Sequence, residues 1–269
     1  MQQVKFKYEP PACALEKWNP SIKAAVKDDA NTINIYSTVG EYGDGSGMTA
    51  KIVSSVLRKA DGKDVVVNIN SPGGDFFEGL AIHTLLSEYE GNVTVKVVGL
   101  AASAASVIAM AGDEIQIAEA GFLMIHNAWT VAIGNKNDMK EVGDMLAKFD
   151  DSMAGLYAKR TKKDEKEIRR MMNNETWIQG NEAVETGFAH ALLNSDGVAL
   201  DEEEKPEYNV ALRKLDVALA KAGMPRSERR ELIKELNDTP SAVDKVTPSA
   251  DAGLSQALQE LLNKFHKSS

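Results

Sequence analysis

Three short segments of this chain carry residue types suited to acyl transfer by a serine hydroxyl. That reaction needs a nucleophile, a base to take its proton, a group to orient the base, and N–H donors for the developing oxyanion. In GLAASAASVIAMAG, residues 99–112, an apolar strand runs to Gly99 and a helix of small residues starts near Ser103. A hydroxyl at a helix N-terminus sits among free backbone N–H groups, where the dipole favours negative charge. Read by itself the segment fits an N-cap first, because serine is a favoured cap. Ser106 is a second hydroxyl, one turn inside the helix and less well placed to face a cleft. In NINSPGGDF, residues 68–76, a buried strand enters Pro-Gly-Gly ahead of a helix. Two glycines allow positive φ and close approach of backbone to a ligand, so an exposed N–H here can serve an oxyanion; an ordinary strand-to-helix turn reads the same way. In FLMIHNAW, residues 122–129, His126 closes an apolar strand. It is a candidate base, although a lone histidine there also serves as a structural residue. The other histidines compete poorly: His83 lies within a helical pattern, His190 follows the core pattern and His266 is in the tail.

The elements that would hold these residues follow from hydrophobic periodicity. TINIYS (32–37), DVVVNIN (64–70) and NVTVKVV (92–98) are almost continuously apolar and β-branched, as strands buried on both faces should be. Between them, residues 48–60 and 75–89 repeat apolar positions every three or four residues. This alternation predicts repeated βαβ units on a mainly parallel sheet, an α/β fold. EIQIAEA and GFLMIHNAW add two strands. A long helix over about 137–160 carries Met139, Val142, Leu146, Phe149, Met153 and Leu156 on one stripe, with Asp138 and Glu141 spaced as a capping box. A shorter helix opens at Asp164 and Glu167 in the same spacing.

Composition narrows the function classes. A net charge of −9 without a long basic run argues against nucleic acid or an anionic membrane as partner. No apolar run is long enough for a membrane span and the first residues lack a secretory pattern, so a cytoplasmic protein is expected. The single Cys13 excludes an internal disulfide framework and any multi-cysteine metal site. No His or Cys cluster has ligand spacing and no phosphate-binding loop with a following lysine occurs, so neither cofactor nor metal is implied. The expected organisation is an N-terminal extension (1–29), a main α/β domain (30–200), a helical appendage (201–236), a flexible Thr/Pro/Ser/Ala linker (237–253) and an amphipathic C-terminal helix (254–269). That last helix carries Leu254, Leu258, Leu261 and Phe265 on one face, for folding back on the body or for docking a partner.

In their order and intervals the three segments resemble the Clp protease proteolytic subunit, a branch of the ClpP/crotonase-like superfamily. The family's strand with Asn-Ser-Pro-Gly-Gly corresponds to Asn70–Gly74, its Gly-x-Ala-Ala-Ser to Gly99–Ser103 and its Met-Ile-His to Met124–His126. The resemblance spans about residues 30–193. It implies Ser103 as nucleophile, His126 as base, and the N–H groups of Gly74 and Ala104 as the oxyanion hole. The third triad position falls on Glu175 where the family has Asp, with Asn173 or Asn174 as alternative orienters. The family's Asp-Arg pair ahead of that position is Asn173-Asn174 here, which bears on contacts between rings.

The resemblance further implies protein substrates, homo-oligomeric rings of six or seven copies, and a long helix at the subunit contacts. Members with an extended C-terminus occur among phage head-maturation proteases acting on scaffold and capsid proteins, and that is the expected role. One alternative is a degradative subunit fed by an AAA+ unfoldase. The other is a crotonase-like acyl-CoA enzyme or a catalytically silent scaffold; the Ser103–His126 pair argues against the acyl-CoA reading.

Overall fold

The computed structural model describes residues 10–24, 30–41, 47–193 and 198–200. The elements run α1 (Ala12–Lys17), β1 (Ile22–Ala24), β2 (Thr32–Ile35), α2 (Ala50–Ala60), β3 (Val65–Ser71), α3 (Phe76–Ser87), β4 (Val93–Ala102) and α4 (Ala104–Ala109). They continue through β5 (Glu114–Ile117), β6 (Phe122–Ile125), α5 (Lys136–Thr161), α6 (Glu165–Asn173), β7 (Thr176–Gln179), α7 (Gly180–Glu185), β8 (Ala191–Leu192) and β9 (Val198–Leu200). The expected appendage, linker and terminal helix after residue 200 lie outside the described residues.

A seven-stranded sheet follows the order β2-β3-β4-β5-β8, with β6 and β7 branching from β4. All of its pairings are parallel except β6 with β7. The predicted α/β architecture of repeated βαβ units is therefore observed. Strand β4 is the hinge of the branch. Its first half pairs with β5 through Thr94–Val97, and its last residues Leu100–Ala102 pair with β6. The expectation that this strand stops at Gly99 is corrected: it runs three residues further, to Ala102. Gly99 marks a close approach instead, since a Cβ there would lie 2.8 Å from Asn70 Oδ1.

The branch has two covered faces because side chains alternate along a strand. Ala101, Leu123 and Ile125 point into the main core with Ile69, Val97, Ile108, Met153 and Tyr157. Leu100, Ala102 and Met124 point the other way and are covered by Ala14, Leu15 and Trp18. Trp18 also donates its indole N–H to Asn70 O at 2.9 Å. Asn70, fully buried, binds Asn19 O and Ile22 O through its Nδ2 and accepts from Leu100 N. Residues 10–24, part of the stretch read from sequence as an extension, thus pack under the strand that leads to Ser103.

Helix α5 begins one residue before its expected start, capped by Asn135 with Asp138 as the reciprocal third position. The capping box expected at Asp138 and Glu141 is corrected accordingly: the residue that leaves helical geometry is Asn135, with extended backbone, and Asp138 bonds back to its N–H. Asp164 caps α6 as read. Among the described residues no helix is long and apolar enough to cross a membrane.

Candidate active site

Ser103 stands between β4 and α4 with φ 54° and ψ −125°, a conformation that L-residues rarely adopt. Such a residue stores on the order of 1–3 kcal/mol, which the surrounding bonds must hold. Its N–H donates to Met124 O at 2.9 Å, tying the turn to β6. Its hydroxyl makes no cap bond to α4. It lies instead 2.7 Å from His126 Nε2. The competing Ser106 is fully buried, and its Oγ donates to Ser103 O at 2.7 Å.

His126 follows directly on β6 and is only 6% exposed. Burial, which penalises the charged ring, pushes its pKa down from 6.5 to about 4. The ring is thus neutral at pH 7 and able to accept a proton. The same shift makes stability depend on pH with a defined sign. Above 6.5 the ring is neutral in both folded and unfolded chains; between 6.5 and 4 the unfolded chain takes up the proton first, so stability falls. The loss attributable to His126 is on the order of 3 kcal/mol by pH 4. Replacing His126 by Asn should remove it, so the stability difference from wild type should shrink as pH falls from 7 to 4 in urea titrations. A pH-independent difference would contradict the burial argument.

Glu175 sits at the turn between α6 and β7 with φ 47°. The antiparallel register ends with Ile125 opposite Thr176, so His126 directly follows β6 and Glu175 directly precedes β7. The Glu175 carboxylate nonetheless turns away: its Oε2 lies 3.9 Å from Cys13 Sγ on α1. Burial, and then the nearby Glu175 charge, raise the Cys13 pKa, so the thiol stays protonated and acts as a weak donor. Asn173 Oδ1 accepts from Asn127 Nδ2 at 2.7 Å, and Asn174 ends α6. Ser103 and His126 are therefore brought together, while neither Glu175 nor Asn173 is hydrogen-bonded to the imidazole among the described residues.

Sequence reasoning missed two contributors. Cys13 is a lone cysteine in the sequence, and its partner Glu175 is 162 residues away. Asp150 accepts from Ala128 N at 2.6 Å, fixing to α5 the segment that follows His126. Burial raises its carboxyl pKa. The available signal was an acidic residue beside Phe149 on the inward side of an amphipathic helix.

The Pro-Gly-Gly turn lies against the nucleophile. Gly73 has φ 88°, and a Cβ on it would lie 2.5 Å from Ala102 O and 2.7 Å from Ser103 Cβ. Val39 braces the turn, donating to Gly73 O and accepting from Asp75 N, while Asp75 caps α3. The N–H groups of Gly74 and Ala104 have no acceptor among the described residues. Both residues line a cleft together with Phe76, Ser103, His126, Ala128, Trp129 and Met153. A cleft with a hydroxyl bonded to a neutral imidazole and two free amides has the parts for acyl transfer.

A family model described as Clp protease matches residues 30–196, more than half of the chain. The chain belongs to the Clp protease family. It is a serine peptidase. The ATP-dependent Clp protease proteolytic subunit of Leuconostoc citreum is 30% identical over 140 residues, covering 50% of this chain and 70% of that one. The subunit of the same name from Mesostigma viride is 31% identical over 148 residues, covering 54% and 64%. Among solved structures, a ClpP1 point mutant from Listeria monocytogenes shares the fold with a TM-score of 0.54 and 22% identity, over 62% of this chain and 94% of that one. The Clp protease match begins after α1 and β1, so the packing of residues 10–24 under β4 lies outside the matched span.

Proposed function

We propose that this Clp protease family member hydrolyses peptide bonds in proteins with Ser103 as nucleophile and His126 as general base. The observation that carries the proposal is the 2.7 Å contact between Ser103 Oγ and His126 Nε2 at the mouth of the cleft. In the reaction, Ser103 Oγ attacks the scissile carbonyl as its proton passes to Nε2. The N–H groups of Gly74 and Ala104 hold the oxyanion, and the imidazolium returns the proton to the leaving amine. A water activated by the same ring then releases the acyl group. Glu175 is the orienting acid in this scheme. An imidazole with a pKa of about 4 is a weak base, and a carboxylate brought beside it would raise that value. In this reading Glu175 gives up its contact with Cys13 and turns its carboxylate to the imidazole.

We take the protein to act on protein substrates as homo-oligomeric rings, as the family resemblance implies. We favour head maturation, with scaffold and capsid proteins as substrates, because the chain continues well past the matched span, as in head-maturation members with an extended C-terminus. The names of the relatives favour a second reading, a degradative subunit fed by an ATP-driven unfoldase. Cleavage of a folded tagged protein only with unfoldase and ATP would select that one. The chemistry itself is tested by treating the full chain with a fluorophosphonate and locating the adduct by peptide mass spectrometry. Label on Ser103 is the expected result; label elsewhere, or on Ser103→Ala as strongly as on wild type, would overturn the assignment.

A further inference from the structure

We infer that Tyr157 and Ser106 are positioning residues that aim the Ala104 N–H at the oxyanion. This rests on the proposed role of Ser103. Both side chains are buried, Ser106 completely and Tyr157 to 1% exposure, and neither opens on the cleft. Their hydroxyls lie 2.8 Å apart, and Ser106 Oγ is 2.7 Å from Ser103 O. A carbonyl can only accept, so Ser106 gives it its one proton, and Tyr157 must then be the donor to Ser106. The proton directions are thereby fixed: Tyr157 to Ser106, Ser106 to Ser103 O. Burial raises the Tyr157 pKa above its ordinary value, so the phenol remains a donor across the working pH range.

The held group is one half of a rigid unit. The peptide between Ser103 and Ala104 is planar and trans, so its C=O and N–H point in opposite directions. Fixing the Ser103 carbonyl therefore fixes where the Ala104 N–H points. The need is acute because Ser103 has an unfavourable φ and ψ, and relaxation there would swing this peptide plane. Backbone bonds from Ser106 N and Val107 N to the same carbonyl exist as well, at 2.9 and 3.3 Å. They come from the helix that would move with the turn. The bond relayed from Tyr157 is anchored on α5, where the ring also packs against Phe188.

The test compares full-length wild type, Tyr157→Phe, Ser106→Ala and the double variant, at a temperature where thermal scans show each folded. With a fluorogenic peptide, each single variant should lower kcat by about 10- to 100-fold and leave KM within about twofold, a fraction of the loss from deleting an oxyanion donor. Affinity for a peptidyl aldehyde, whose adduct carries the oxyanion, should fall in parallel with kcat/KM. Because the hydroxyls act in series, the double variant should lose no more than Ser106→Ala. A purely structural role would lower the melting temperature and leave kcat and aldehyde affinity unchanged. Tyr157→Phe is nearly isosteric; if it does not fold, Ser106→Ala decides alone, and kcat within twofold of wild type would overturn the inference. Fluorophosphonate label on wild-type Ser103 is scored separately, so failure of the nucleophile assignment is seen apart from failure of the positioning role.

Discussion

Ser103→Ala and His126→Ala should each lower kcat for peptide hydrolysis by about 10⁴- to 10⁶-fold, and the double variant should be no slower than either. The reason is that the two side chains work as one unit. Without His126 the Ser103 proton has no acceptor at 2.7 Å, and without Ser103 the neutral imidazole has nothing to activate. What survives either change is the oxyanion hole and substrate binding, which still exceed the uncatalysed rate. Steady-state rates on a fluorogenic peptide give the size of the loss. The rate of fluorophosphonate labelling checks its origin, because labelling requires the base as well as the nucleophile. Losses that multiply in the double variant would show that the residues act independently and would break the proposed pairing.

Gly73→Ala should inactivate the protein at least 100-fold and destabilise it by about 3 kcal/mol or more, two effects with a single cause. The added methyl would be placed 2.5 Å from a backbone oxygen and 2.7 Å from Ser103 Cβ, at a φ that disfavours any side chain. Neither neighbour is the end of a flexible side chain, so the strand and the turn must part. That movement displaces the Gly74 and Ala104 amides from each other. Gly143 and Gly155 supply the control, since added methyls on them would meet open space along α5. Alanine at either should be neutral or stabilise by up to about 1 kcal/mol. Thermal unfolding and labelling rates on the three variants distinguish local crowding from a general intolerance of substitution. A Gly73→Ala protein labelling within threefold of wild type would mean that the turn relaxes without disturbing the site.

Much of the fold was legible because its strands are buried on both faces. Val65–Ser71 and Val93–Ala102 have no exposed position, and a run of Val and Ile announces that directly. The pair Ser103 and His126 could be nominated because the flanking motifs come in a family order, although the hydroxyl's turn away from capping is a backbone property that no residue type announces. The end of β4 was misread at Gly99, because a glycine that admits a neighbouring Asn70 side chain looks the same in sequence as one that ends a strand. Strand β7 went unrecognised, since four residues paired on one side carry little periodicity. Partnerships across long stretches of chain were out of reach for the same reason. Tyr157 meets Ser106 from 51 residues away, and only the folded path of α5 brings the two hydroxyls together.

The packing of residues 10–24 bears on how this enzyme can be divided. A fragment cut to the matched span, 30–196, would keep both Ser103 and His126. It would also remove the Ala14, Leu15 and Trp18 cover from Leu100, Ala102 and Met124, and would strip Asn70 of the carbonyls its amide binds. Leu100 and Ala102 lie on the strand that delivers the nucleophile, and Met124 on the neighbouring strand that ends at His126. The smallest transplantable catalytic unit therefore starts ahead of Ala12, and a boundary drawn from family likeness alone would cut through its floor.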